Sequence, residues 1–351
     1  MMNKSSSPAI TTIIPTYRRP KLLRRAIKSV LAQTYPDFQV CVYDNASGDE
    51  TASIVSELAK ADARVKYYCH SRNIGGFRNW AYGMGRVESA FFSFLSDDDV
   101  LLPEFYATAL RGLEKYPEAI CSSLATITMD DAGRVLGVPL LNWRPGFYAP
   151  PEGLLTILKY QHPDWTGTLF RREVVERVGG LDEEIGASGD LDYLLRITVR
   201  FPIVVSREPG AIFVTHPLSL SGASRFDTIW PGCFNMIRNL AGDERIPCDV
   251  RTQAERALTE NLKNRLFMHQ GLRYLVERNW EDALKAAEVL GNHYHLRSRA
   301  FLLRASTQAC RHLPPVYFIL HGLYRLRELL GRLKNRQLQK DYGVYARLLE
   351  L

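Results

Sequence analysis

The feature that most limits how this chain can fold is an alternation within its first hundred residues. Short β-rich apolar runs, Ile10–Ile14, Phe38–Tyr43, Val65–Cys69 and Phe91–Leu95, are separated by stretches whose apolar residues recur at helical spacing. In KLLRRAIKSVLAQ, from Lys21 to Gln33, the apolar residues Leu22, Leu23, Ala26, Ile27, Val30 and Leu31 recur at helical spacing. Pro15 stops the first run and the polar DNASGDET stops the second. Strands joined by helical crossovers predict an α/β fold with a Rossmann-like, doubly wound, mostly parallel sheet. Ligands of such sheets bind beyond the carboxyl ends of the strands. Residues 15–18, 44–47, 70–76 and 96–99 stand at those ends, so four polar loops are expected to converge on one edge.

The last of these loops, Ser96-Asp97-Asp98-Asp99, follows an apolar run directly. Three adjacent carboxylates repel one another, and no Lys or Arg adjoins them in sequence, so a divalent cation is the expected neutraliser. Hard oxygen donors suit Mg2+ or Mn2+ rather than zinc. Such a cation keeps open positions for phosphate oxygens and points to a diphosphate-bearing substrate. A solvated acidic turn capping the next helix is the alternative.

Between Ile10 and Ser221 the segments TTIIPTYRRPKLL, VYDNASGDET, SRNIGG, SFLSDDDVLLPEF, TGTLFRREVVERVGGLDE and GDLDYLLR follow in that order. This succession resembles the family 2 glycosyltransferases, inverting enzymes of the GT-A fold. The resemblance implies that Pro15, Thr16 and Tyr17 line a nucleotide pocket and that Asp44 accepts a hydrogen bond from a base N–H. An Asx turn is the other reading of Asp44. Arg72 and Asn73 would approach the nucleotide, with Gly75 and Gly76 permitting close backbone approach. Asp97 would lie near the ribose, and Asp98, Asp99 and His216 would serve the metal and the diphosphate. A structural role is the alternative for His216. The family's more common Asp-x-Asp-Asp has Ser96 at its first place here, which leaves the division of labour among the three aspartates open. Asp190 is the expected catalytic base, taking the acceptor hydroxyl proton. Gly189 replaces the Glu that usually precedes it, Asp192 competes for the role, and a helix N-cap is the other reading. Asp164 and Trp165 are candidates for shaping the sugar or acceptor pocket, with core packing equally open to Trp165.

A chain of 351 residues that is 46% hydrophobic can hold one large domain or two ordinary ones. The expected division is a nucleotide-sugar-binding catalytic domain over 1–225 and a helical C-terminal region over 226–351. In the latter, RHLPPVYFILHGLYRLRELLGRLKNR couples an apolar face to Arg and Lys. That pattern suits acceptor contact, a homodimer interface or a membrane surface. Within the first domain, 141–168 reads as a long loop over the site, 169–178 as a helix, and 203–205 and 211–215 as two short strands. Six Cys without any CxxC indicate neither zinc nor disulfides. No secretory h-region precedes the first strand and no apolar run reaches membrane-spanning length, so the expected location is cytoplasmic, peripheral on the inner face of the membrane where it meets one. The net charge of +7 fits an anionic partner, although a carboxylate-lined edge speaks against nucleic acid. The expected partners are a nucleotide-sugar donor, UDP-sugar first, and a glycan, lipid-linked or small-molecule acceptor in cell-surface polysaccharide or glycoconjugate synthesis. The alternatives are a sugar nucleotidyltransferase, for which PTYRRPK lacks a Gly-rich triphosphate loop, and a non-catalytic nucleotide- or nucleic-acid-binding protein.

Overall fold

A computed structural model describes residues 8–216 and 226–351; Ser221 and residue 225, where the resemblance and the expected first domain end, lie outside the described residues. The chain divides into two compact units, one made of Met1–Gly222 together with Leu338–Leu351, the other of Ala223–Gln337.

In the first unit the four apolar runs become β1 (Ile10–Thr16), β2 (Phe38–Asp44), β3 (Val65–Cys69) and β4 (Phe91–Phe94), linked by helices α1 (Pro20–Leu31), α2 (Thr51–Ala61) and α3 (Gly76–Met84). Helix α1 opens on Pro20, whose fixed φ suits the first helical position, and buries Leu23, Ala26, Ile27 and Val30 completely. β1 lies between β2 and β4 and is parallel to both, with Ile13 opposite Cys41 on one side and Phe94 on the other. Burial on both faces explains why these strands read as continuous apolar runs.

The chain continues through β5 (Val100–Leu101), α4 (Phe105–Lys115), β6 (Cys121–Asp130), β7 (Val135–Gly137), β8 (Gly146–Tyr148), α5 (Glu152–Lys159), β9 (Thr168–Arg171), α6 (Glu173–Val178), α7 (Gly189–Thr198) and β10 (Ile203–Thr215). The sheet has ten strands in the order β3-β2-β1-β4-β9-β6-β10-β5, with β7 against β6 and β8 against β10. Three expectations are corrected. Residues 168–171 are a strand, antiparallel between β4 and β6, and only Glu173–Val178 is helical; periodicity cannot separate strand from helix in so short an apolar run. The two short strands are one, β10, whose register against β6 shifts around Pro209. The expected loop 141–168 carries β8 and α5.

The second unit is helical: α8 (Phe226–Gly242), α9 (Cys248–Asn264), α10 (Leu272–Val276), α11 (Trp280–Glu288), α12 (Arg297–His312) and α13 (Pro314–Lys334). Its core gathers Trp230, Leu266, Leu275, Ala283 and Leu290. Asn279 caps α11 by accepting from Asp282 N at 3.2 Å. A last helix, α14 (Arg336–Tyr342), leads into the segment grouped with the first unit. There Gln339 Oε1 accepts from Val135 N at 2.7 Å, Lys28 Nζ donates to the main-chain oxygen of Leu351 at 2.8 Å, and Arg25 donates to the carbonyl of Leu349 at 3.4 Å.

Candidate functional site

The sheet edge brings together the loops that follow β1, β2 and β4. Register places Thr16 opposite Asp44 at the ends of β1 and β2, and β4 delivers Asp97–Asp99 beside them. Thr16 Oγ1 donates to Asp97 Oδ2 at 2.8 Å. Arg19, on the loop between β1 and α1, donates from Nη1 to Asp97 Oδ1 at 3.1 Å and to Asp98 Oδ2 at 2.8 Å. His216 Nε2 stands 3.0 Å from the same Asp98 oxygen. Arg25, from α1, donates to the main-chain carbonyl of Asp98.

These contacts correct the electrostatic premise drawn from the sequence. The neutralising cations missing from the neighbourhood in sequence arrive across the fold, from Arg19 and Arg25. The aspartates also differ in their surroundings. Asp97 is pushed up to about 6 by burial and by the charge of Asp98. Asp99 is raised in the same direction for the same two reasons. Both its oxygens are engaged: Oδ2 accepts from Thr166 Oγ1 at 2.7 Å and Oδ1 from Val214 N at 2.9 Å. Asp99, expected beside the metal, therefore ties the loop to β10 and to the turn before β9. Asp98 and His216 are the pair left facing one another, with side chains 8% and 11% exposed. The Asp98 carboxylate is the hard oxygen donor of the pair that suits Mn2+ or Mg2+, with the His216 imidazole beside it. Among the described residues no group of three or more His, Cys, Asp or Glu is arranged to hold a metal ion.

Asp44 is buried and ordered by protein donors. Its Oδ1 accepts from Ser47 N at 2.9 Å and Ser47 Oγ at 2.6 Å, and its Oδ2 from Tyr67 OH at 2.6 Å. Ser47 Oγ in turn accepts from Arg18 N at 2.9 Å, which couples the loops after β1 and β2. Pro15 is buried within β1, whereas Tyr17 is exposed with the Arg18 guanidinium 5.1 Å from its ring centroid. Asn73 accepts from Asn45 Nδ2 at 3.0 Å and from Gly75 N at 2.8 Å, and Gly75 holds a φ of +90° that a side chain would strain. Arg72, Asn73 and Tyr82 line an open cleft of about 540 Å3, with Arg78 paired to Glu183 at 2.8 Å on its wall.

Asp190 is the second residue of α7, and its Oδ1 accepts from Leu191 N at 2.7 Å. Its competitor Asp192 is buried against Arg196 at 2.8 Å, and Arg196 also donates to the carbonyls of Val178 and Gly180. The departure at 189 has a physical cause: a Cβ there would sit 2.1 Å from the Phe77 ring. Phe77 occupies the space that a Glu would need. Asp164 is pushed up to about 6 by burial, with His162 opposing and the charge of Asp190 adding to the rise. Trp165 stacks on Phe94 with centroids 4.5 Å apart and meets Trp80 and Tyr193 edge-on, so it packs in an aromatic cluster. Arg19, Arg25 and Thr166 are the site residues that sequence reasoning missed. Arg19 lies on a loop already assigned to the correct edge, which was the available signal.

Comparison with known proteins fits this geometry. Residues 11–179 match the model for glycosyl transferase family 2. A GalNAc(5)-diNAcBac-PP-undecaprenol beta-1,3-glucosyltransferase from Campylobacter jejuni is 36% identical over 105 residues, which cover 30% of this chain and 34% of that protein. The O-antigen biosynthesis protein RfbC of Myxococcus xanthus is 28% identical over 210 residues, 55% of this chain and 16% of that protein. The chain thus spans about a third or less of the length of these two relatives. S. aureus TarS 1-349 in complex with UDP-GlcNAc superimposes with a TM-score of 0.64 at 16% identity, covering 90% of this chain and 91% of that one. Mannosyltransferase PcManGT from Pyrobaculum calidifontis, in complex with GDP-Man and Mn2+, gives 0.54 at 16% identity, covering 99% and 87%. The fold is that of the GT-A glycosyltransferases, with helices at the C-terminal end. Residues 11–179 of this chain therefore belong to glycosyl transferase family 2.

Proposed function

We propose that the chain transfers a sugar from a nucleotide diphosphate donor to an acceptor hydroxyl, with inversion at the anomeric carbon. The observation that carries this reading is the knot at the sheet edge, where Arg19 and His216 both reach Asp98 while Thr16 and Arg19 hold Asp97. A nucleotide sugar brings a ribose, a base and two phosphates, and the edge offers hydroxyl, carboxylate and guanidinium groups within one loop cluster. Pro15, Thr16, Tyr17, Asp44, Arg72, Asn73 and Gly75 form the nucleotide side, and Asp97 faces the ribose. Asp98 and His216 would hold a Mn2+ or Mg2+, which when bound neutralises charge on the leaving diphosphate. Asp190 takes the proton from the acceptor hydroxyl as that oxygen bonds to the anomeric carbon and the bond to the diphosphate breaks on the opposite face. Its position at the start of α7, with Asp192 engaged by Arg196, supports this choice.

UDP-sugar is the favoured donor, in line with the UDP-GlcNAc held by TarS; the GDP-Man of PcManGT makes GDP the first competitor. A lipid-linked acceptor is favoured by the relative whose name specifies an undecaprenol-PP glycan, and with it peripheral contact with a membrane. No helix of the described residues is long and apolar enough to cross one. A thermal-shift screen of UDP, GDP, dTDP and CDP, with and without Mn2+, tests the site. A nucleotide-dependent rise that Asp98→Asn abolishes is expected, and an unchanged response in that variant overturns the reading.

A further inference from the structure

Helix α13 of the second unit is two-faced. Toward its own unit, Tyr317 OH donates to the carbonyl of Val276 at 3.0 Å, and Leu320 packs on the core. On the other side Ile319, Leu323, Leu326, Leu330 and Leu333 are each between 49% and 65% exposed. At 3.6 residues per turn these five fall within an arc of about 80° and extend over about 21 Å of helix. Phe318 and Leu329, 64% and 53% exposed, widen the arc on one side. Arg325 and Arg327, both exposed, fall on its two edges. A patch of this size is not left bare on a chain without a partner.

Charge decides what covers it. Between residues 297 and 340 the sequence holds eight Arg and two Lys against Glu328 alone. The apolar positions follow a seven-residue repeat, but a paired copy of the helix needs opposite charges beside the seam, and Arg327 has no carboxylate at the flanking positions of that repeat to meet it. An acidic lipid surface meets both requirements: the acyl boundary accepts the leucines, and the arginines at the edges of the arc reach the phosphates with their stems along apolar surface. We propose that α13 lies flat on an anionic bilayer, with Ile319, Leu323, Leu326, Leu330 and Leu333 inserted and Arg325 and Arg327 at the headgroups. The inference deepens the membrane side of the proposed function and stands on different residues from the sugar-transfer site.

The test is co-sedimentation of the full chain with vesicles of phosphatidylcholine alone and of phosphatidylcholine with about 30% phosphatidylglycerol. Binding to the anionic vesicles only, falling as salt rises, is expected. Leu323→Gln with Leu330→Gln, and separately Arg325→Gln with Arg327→Gln, should each lower the partition coefficient by about tenfold or more. Nucleotide-dependent thermal shifts of both variants without vesicles should match the parent, which separates failure of this inference from failure of the sugar-transfer reading. Absence of binding to anionic vesicles, or equal binding by the variants, overturns the proposal. So does a dimer in analytical ultracentrifugation that Leu323→Gln with Leu330→Gln dissolves while vesicle binding persists.

Discussion

Arg19 holds two carboxylates at once, but its shorter bond, 2.8 Å, goes to Asp98. The guanidinium is about a quarter exposed and the carboxylate is nearly enclosed. Removing the partner of a buried charge costs more than the pair contributed, because the remaining charge stays desolvated. Arg19→Gln is expected to lower stability by about 1–3 kcal/mol, discounted for the exposed side of the guanidinium. With the competing cation gone, Mn2+ should raise the melting temperature of this variant more than that of the parent. Equal Mn2+ responses in differential scanning fluorimetry would remove Asp98 from the metal site.

Asp190→Asn preserves shape and removes the proton acceptor. Turnover should fall by about a hundredfold to ten-thousandfold, the range of a positioned general base, while nucleotide affinity stays within about twofold. Single-turnover transfer and nucleotide titration, read side by side, check both halves. Retained turnover would move the role elsewhere, and Asp192 is then a poor substitute because Arg196 already engages it.

The Gly189–Phe77 contact can be examined by restoring the more common residue. Gly189→Glu forces a Cβ onto the Phe77 ring and should cost about 1–3 kcal/mol. Combining it with Phe77→Ala should cost less than the two single changes added together, because each then relieves the other. Urea denaturation of the four proteins measures the coupling.

Asp164 gives a pH dependence with a definite sign. Burial raises its carboxyl from 3.8 to about 6, so between these values the folded chain binds more protons at this position than the unfolded chain. Its contribution is present in full below about 4 and is lost as pH rises through about 6. Asp164→Asn abolishes that loss, so its stability relative to the parent should grow by about 2–3 kcal/mol from pH 4 to pH 7. Urea midpoints across that range settle it; a constant difference would mean that Asp164 titrates normally.

The sheet edge was legible because backbone topology follows from local pattern: four apolar runs separated by helices admit few connections, and Thr16, Asp44 and Asp97 stand at the ends of three of them. What the pattern could not supply was charge compensation across the fold. Asp97–Asp99 read as uncompensated because Arg19 and Arg25 are more than seventy positions away. The hydrogen bonds that Asp99 accepts from Val214 N and Thr166 Oγ1, both distant in sequence, were not legible for the same reason. The strand at 168–171 was missed because four residues, of which only Leu169 and Phe170 are apolar, carry no readable period, and its strand character comes from pairing with β4 and β6.

The return of Leu338–Leu351 to the first unit has a practical corollary for dissecting this chain. Truncation after residue 222 would strip α1 of the carbonyls that Arg25 and Lys28 engage, and Arg25 is the same side chain that steadies the main chain at Asp98. A shortened chain that keeps the first unit whole retains 338–351 as well as the residues before 223, treating the helical unit as a cassette inserted within a discontinuous parent.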